Sequence, residues 1–170
     1  MKMVRTLGAA LLAANWTVAS AWGASCVNSD DLFALGTAAI QQELMVAAFT
    51  CNDVARYNRF VVSHQSELID SDSRLKAFFV HRGGQRGEAG YHTYKTELAN
   101  AASLRSVRRA ASFCAHANEE FDLAAQSANL SEFVGAQPIA LGAAYRACGG
   151  NRLNSPVLAE TSIRHKIHRR

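Results

Sequence analysis

Four cysteines, Cys26, Cys51, Cys114 and Cys148, constrain this chain more than any other feature, because two of them bracket what reads as one uninterrupted helix. Residues 30–51 carry apolar side chains at helical spacing after "NSDD", where Ser29 or Asp30 can accept the unpaired amides of a first turn. A helix of that length spans about 30 Å at 1.5 Å per residue, and the four residues from Asp30 back to Cys26 are too few to cover it. A disulfide needs α-carbons within about 7 Å. Cys26 with Cys51 is therefore disfavoured. Of the remaining pairings, Cys51 with Cys114 and Cys26 with Cys148 is preferred, because Cys114 shares a helical stripe with Val107, Ala111, Phe121 and Ala125. Its partner should sit at a core-facing helix, a condition that Cys51 meets better than the pre-helical Cys26.

Disulfides require an oxidising compartment, and the N-terminus supplies a route to one. Lys2 and Arg5 precede the apolar, small-residue run "LGAALLAANWTVASAW", which has the length of a signal core and is short for a stable membrane span. Gly23, with Ala21 two residues before it, allows cleavage; Ala19 and Ala21 offer a second site. Residues 1–23 are read as a signal peptide, residues 24–150 as one helical domain and residues 151–170 as a mobile basic tail. Acylation of Cys26 is the weaker alternative, because "GASC" places Gly23 where that processing signal prefers leucine. The expected location is periplasmic or secreted, with no transmembrane segment after cleavage.

Cleavage after Gly23 leaves 147 of the 170 residues, a length that normally builds one core. It also removes two positive charges and leaves 16 basic against 14 acidic residues. Arg164, Lys166, Arg169 and Arg170 belong to the terminal "RHKIHRR", so the body of the chain carries 12 basic residues against the same 14 acidic ones. A specific nucleic-acid binder concentrates its excess on a folded face. This chain keeps it in the tail, so no specific nucleic-acid partner is expected.

Helix-period patterning fills residues 30–128, no β-branched run suggests a sheet, and both prolines, Pro138 and Pro156, follow the main segments. The expected fold is an all-α, single-domain bundle of about five helices stabilised by disulfides. Asn52 is read as the cap of a second helix reaching residue 62 or 64. A third covers residues 67–81 and stops at Gly83 and Gly84. After the polar loop "GGQRGEAG" come a fourth at 91–104 and a fifth at 107–128, and "LSEFVG" can add a short turn.

The blocks "TCNDVARYNRFV", "SELIDSDSRLKAFFVHRGG", "YHTYKTELANAAS" and "SFC", spread over residues 35–121, resemble a family of small exported helical proteins of alphaproteobacteria. The resemblance implies export and a helical fold. It brings no activity, cofactor or catalytic residue with it, and the basic tail departs from it as an extension.

Placed 100° apart around the first helix, Leu32, Leu35, Gly36, Ala39, Ile40, Val46 and Ala47 share one arc, with Glu43 near its centre and Asp30, Gln41 and Gln42 opposite. The same construction turns Tyr57 and Asn58 inward on the second helix, Asp72 on the third and Asn118 on the fifth. A buried carboxylate must find a donor or take up a proton. Two roles follow for this polar group of Glu43, Tyr57, Asn58, Asp72 and Asn118. Glu43 as a general acid beside an ionised Asp72 would suit a small hydrolase of the glycosidase kind. Alternatively these residues are buried anchors, Glu43 bonding Tyr57, Asn58 or an arginine, and Asp72 supporting a helix N-terminus. The second role is preferred, because structural networks perturb carboxylates as well as active sites do.

His64, His81, His92 and His116 lie on different segments without an i to i+4 histidine pair, so surface or capping roles are expected and no metal site. Tyr91, Tyr94 and Leu98 form a packing stripe, and Arg105, Arg108 and Arg109 read as a solvated helix face. No nucleophile elbow, phosphate-binding loop or dinucleotide fingerprint occurs, so no cofactor is expected. The function expected is that of a non-enzymatic binding or structural module acting on an unidentified protein or other envelope component.

Overall fold

The computed structural model describes residues 25–138 and 145–148. The expected signal peptide at 1–23 and the expected mobile tail at 151–170 lie outside them. The chain folds as an all-α bundle with two disulfides. A short strand β1 (Ser25–Val27) leads into α1 (Ser29–Thr50), α2 (Val54–Ser63) and α3 (Gln65–Gly83). A 3-10 turn, Gly84–Arg86, connects to α4 (Gly87–Arg108), followed by α5 (Ala110–Gln126), α6 (Leu130–Ala136) and strand β2 (Tyr145–Ala147).

Helix α1 starts where Asn28 accepts the amide of Asp31 at 2.8 Å, with Asp30 and Asp31 in the first turn, the end of a helix dipole that favours acids. At its other end the amide of Cys51 bonds the carbonyl of Ala47, and that of Asp53 reaches back to Ala48. Asn52 sits between them at φ +62°. That pattern is a left-handed helix terminus, which asparagine tolerates. Asn52 thus closes α1 and does not cap α2, correcting the sequence expectation. Gly84, at φ +53° and ψ −126°, ends α3 in a region open chiefly to glycine.

The expected polar loop at 83–90 is mostly helix. Gly87 explains the difference, because a Cβ there would lie 2.4 Å from the Cα of Val80 and 2.6 Å from the carbonyl oxygen of Phe79. The glycine lets the start of α4 rest directly on the backbone of α3, and Lys76 pairs across the junction with Glu88 at 2.6 Å.

Helix α1 runs through the bundle and belongs to both core clusters. Toward its C-terminal half, Leu44 and Ala47 pack with Phe60, Leu68, Phe113, Phe121, Leu130 and Phe133. Toward its N-terminal half, Leu35 and Ala38 pack with Val27, Leu75, Phe78, Tyr91 and Tyr94, and the Tyr94 hydroxyl donates to the Leu35 carbonyl. This burial on nearly all sides explains why α1 is long and apolar enough to cross a membrane, at a mean hydropathy of 1.4, while most of it is packed inside the bundle. It also buries Gln42, which the helical projection placed opposite the core face.

Both disulfides follow the preferred pairing. Cys51 and Cys114 join the end of α1 to α5 with α-carbons 5.6 Å apart, and Cys26 in β1 joins Cys148, the residue after β2, with α-carbons 4.7 Å apart. The strands themselves, paired in parallel with Cys26 opposite Arg146, are a feature the sequence analysis lacks. The stripe used to place Cys114 is rotated: Phe113, Ala117, Phe121 and Ala124 face the core, whereas Val107, Ala111 and Ala125 are exposed. A break at Arg109 separates Val107, on α4, from the rest.

Candidate functional site

Glu43 projects from α1 toward the C-terminal end of α4 and the middle of α5. Its carboxylate forms an ion pair at 2.8 Å with the guanidinium of Arg105, on the last turn of α4. Two residues of α5 one turn apart complete the group: Nε2 of His116 lies 3.5 Å from Oε1 of Glu120. One ligand atom each from Glu43, His116 and Glu120 lie within 4.8 Å of one another. The cluster is open on one side only, since the side chains of Arg105 and His116 are 52 % and 48 % exposed, that of Glu43 19 % and that of Glu120 5 %.

Glu120 is the unusual member. Oε2 of Glu120 is buried and has no hydrogen-bond partner among the described residues. Burial pushes its carboxyl up to about 8, the neighbouring charge of Glu43 adds to this, and Arg105 opposes it. Around neutrality Glu120 therefore holds a proton in the folded chain, while Glu43 and Arg105 form an ion pair.

Asp72 belongs to a different group. The hydroxyl of Tyr91 donates to its carboxylate at 2.8 Å and the ammonium of Lys95 at 2.7 Å. Burial works against the charged form. The hydrogen bonds from Lys95 and Tyr91, with the charges of Lys95 and Lys76, outweigh it and hold the Asp72 carboxyl below the usual aspartate range. The partners of the two carboxylates, Lys95 and Arg105, stand ten residues apart on α4, about 15 Å along its axis. Glycoside-cleaving carboxylates sit about 5 to 10 Å apart. Glu43 and Asp72 thus have no partner in common.

The remaining members of the expected polar group separate as well. Tyr57 is half-buried against the α1–α5 core. Asn58 is exposed. Asn118 is also exposed, accepting from Arg56, which pairs in addition with Asp122. Both asparagines therefore correct the inward placement, each lying beside a core position and not on it. Arg105 stays on the solvated face expected of it and also supplies the arginine foreseen as a partner of Glu43.

Two carboxylates, Glu67 and Glu120, are not singled out by the sequence. His64, expected at the surface or in a cap, is the cap residue between α2 and α3; it is buried beside Phe60 and lies 3.2 Å from Glu67. Glu67 in turn accepts the amide of Leu130 through both oxygens, at 3.0 and 3.2 Å, and so ties α3 to the start of α6. The second, Glu120, stands in "ANEEFD", where the neighbouring acids suggest a solvated run.

Comparison with protein-family models, with curated proteins and with solved structures finds no match to the chain.

Proposed function

We propose that this chain is exported to an oxidising compartment, periplasmic or secreted, and serves there as a non-enzymatic binding module. The observation that carries the reading is the pairing of all four cysteines, which leaves no free thiol. The bridges are nested, so the outer one, at a sequence separation of 122, closes the domain over the inner one. Disulfides persist in extracytoplasmic compartments and are rare where thiols are kept reduced. The apolar run behind Lys2 and Arg5 supports the same location, and the resemblance to small exported helical proteins agrees with it.

The binding part of the reading is supported by the chemistry available. With the cysteines bridged, no thiol nucleophile remains, and Asp72 is already engaged by Tyr91 and Lys95. The Glu43, Arg105, His116 and Glu120 group, half-open and mixed in charge, is the place where a ligand would find unmet hydrogen-bonding capacity. Cell fractionation with intact-mass measurement tests the location. The expected product is an extracytoplasmic chain beginning near Ala24 and lighter by four hydrogens than its reduced form. A cytoplasmic chain retaining Lys2 and Arg5, with four reactive thiols, would overturn the reading.

A further inference from the structure

We propose that Glu43, His116 and Glu120 form a binding site for a divalent first-row transition cation, with one carboxylate oxygen from each glutamate and Nε2 of His116 as ligands. The inference concerns the folded domain and holds wherever the chain is located.

The donor set points to the class of ion. One imidazole nitrogen with two carboxylates suits zinc, manganese or iron, whereas magnesium and calcium take shells made wholly of oxygen. Bonds of about 2.0 to 2.1 Å place tetrahedral ligand atoms about 3.3 Å apart. The His116 and Glu120 atoms are already 3.5 Å apart. The remaining separations, at most 4.8 Å, close by a modest rotation of the Glu43 carboxylate or the half-exposed imidazole. Three protein ligands leave further positions to water on the open side, the arrangement found in sites that exchange or activate a ligand.

The scaffold holds these ligands as a metal site requires. His116 and Glu120 are one helical turn apart, and Glu43 faces them from α1, the way bundles build metal sites from facing helices. Cys114 lies two residues before His116, and its disulfide to Cys51 anchors α5 to the end of α1. Both ligand-bearing helices are thus covalently joined beside the site, which limits the movement that would loosen it.

The second observation is Glu120 itself. Its side chain is 5 % exposed and Oε2 has no partner among the described residues, although it faces a second carboxylate. Burying such a group unpaired opposes folding. A dication between Glu120 and Glu43 would supply the missing partner, releasing the proton that Glu120 otherwise keeps and neutralising both carboxylates. In its absence Arg105 fills half of that role, pairing in charge with Glu43 and leaving Oε2 of Glu120 unserved. The Arg105 side chain is half-exposed and can turn to solvent when an ion enters, which makes it a competitor for Glu43.

The test is isothermal titration of zinc chloride into the disulfide-intact chain after treatment with EDTA and desalting, with cobalt(II) absorption as a spectroscopic readout. The wild type is expected to take one ion per chain at this site. His116→Ala and Glu120→Gln should each weaken zinc at least about tenfold, the lower range for disturbing a metal site. His165 and His168, in the basic tail, offer an unrelated zinc donor, so His165→Ala/His168→Ala serves as the control and should retain the one-to-one site. His116 is half-exposed and its replacement leaves the core intact; should its circular dichroism nonetheless show loss of helix, Glu43→Gln takes its place with the same expectation. The proposal is overturned if the wild type shows no zinc binding, if His116→Ala and Glu120→Gln bind as the wild type does, or if binding disappears with the tail histidines alone.

Discussion

Glu120→Gln in the metal-free protein should make folding stability less sensitive to pH. An ordinary glutamate ionises near 4.5, whereas in the folded chain Glu120 holds its proton up to about 8. Between those values the unfolded chain has released a proton that the folded chain keeps. Raising the pH through this window therefore favours unfolding, with a limiting slope of about 1.4 kcal/mol per pH unit. From pH 5 to pH 7 the wild type should lose about 2 to 3 kcal/mol on this account, and above pH 8 the loss should level off. Glutamine has nearly the same shape and cannot ionise, so the variant should be free of the loss. Side chains facing Glu120 come from three helices: Glu43 on α1, Arg105 on α4 and His116 on α5. All three are unchanged by the substitution, so the difference between variant and wild type isolates Glu120. Urea unfolding in EDTA at pH 5, 7 and 9, with disulfides intact, measures it. The variant should gain on the wild type by about 2 to 3 kcal/mol between pH 5 and 7. A difference that stays constant with pH, or one that moves against the variant, would refute the reasoning, because it would mean that the carboxylate is ionised in the folded chain and satisfied by His116.

The disulfides should be of similar weight despite their different spans. Closing the 63-residue separation of Cys51 and Cys114 corresponds to about 4.3 kcal/mol of chain entropy; the outer bridge then spans an effective loop of about 60 residues, worth about the same. Urea unfolding of the Cys51→Ala/Cys114→Ala and Cys26→Ala/Cys148→Ala chains should show comparable losses, and non-reduced peptide mapping should recover only these two links. Gly87→Ala should destabilise the domain by about 1 to 3 kcal/mol, because its Cβ meets the backbone of α3 and no side chain can yield to it; a thermal midpoint equal to that of the wild type would contradict the close contact. Asp72→Asn should flatten acid unfolding. The wild-type carboxylate stabilises the fold above the ordinary aspartate value of 3.8, and that contribution is lost as pH falls through its lowered folded value. Circular dichroism between pH 2 and 5 should show a shallower loss of helix for the variant.

Much of the architecture follows from local rules whose signals survive into the folded chain. Apolar spacing marks the helices, and the length of α1 alone excludes one cysteine pairing. The departures share a cause, which is that one residue type serves different backbone needs. Asparagine suits both a helix start and a left-handed helix end, and only the amide of Asp53 reaching back to Ala48 identifies Asn52 as the latter. Glycine marks loops, yet Gly87 is there for the approach of two helices. A helical projection also assumes an unbroken helix with one wet side. Arg109 breaks the first assumption and rotates the stripe of α5, and the burial of α1 breaks the second, so that Gln42 lies inside.

Glu43 is visible in sequence because its neighbours are apolar, while Glu120, more deeply buried, is hidden by Glu119 and Asp122. The contrast shows what kind of information a site of this sort carries. Apolar neighbours along a helix report the depth of one residue, but a carboxylate pair across α1 and α5 is a property of two helices and of the disulfide that ties them. Local consistency would place a leucine or alanine at position 120, in line with Ala117, Phe121 and Ala124 on the core face. A side chain that breaks the pattern of its own helix, lowers stability as the pH rises through the window in which only the unfolded chain ionises, and meets a second carboxylate with a single arginine between two acids is the departure from foldability expected at a functional position. The chemistry of the domain is therefore most profitably sought at the α1–α5 seam, where the fold accepts that cost, and not at Asp72, which Tyr91 and Lys95 hold as an ordinary ionised carboxylate.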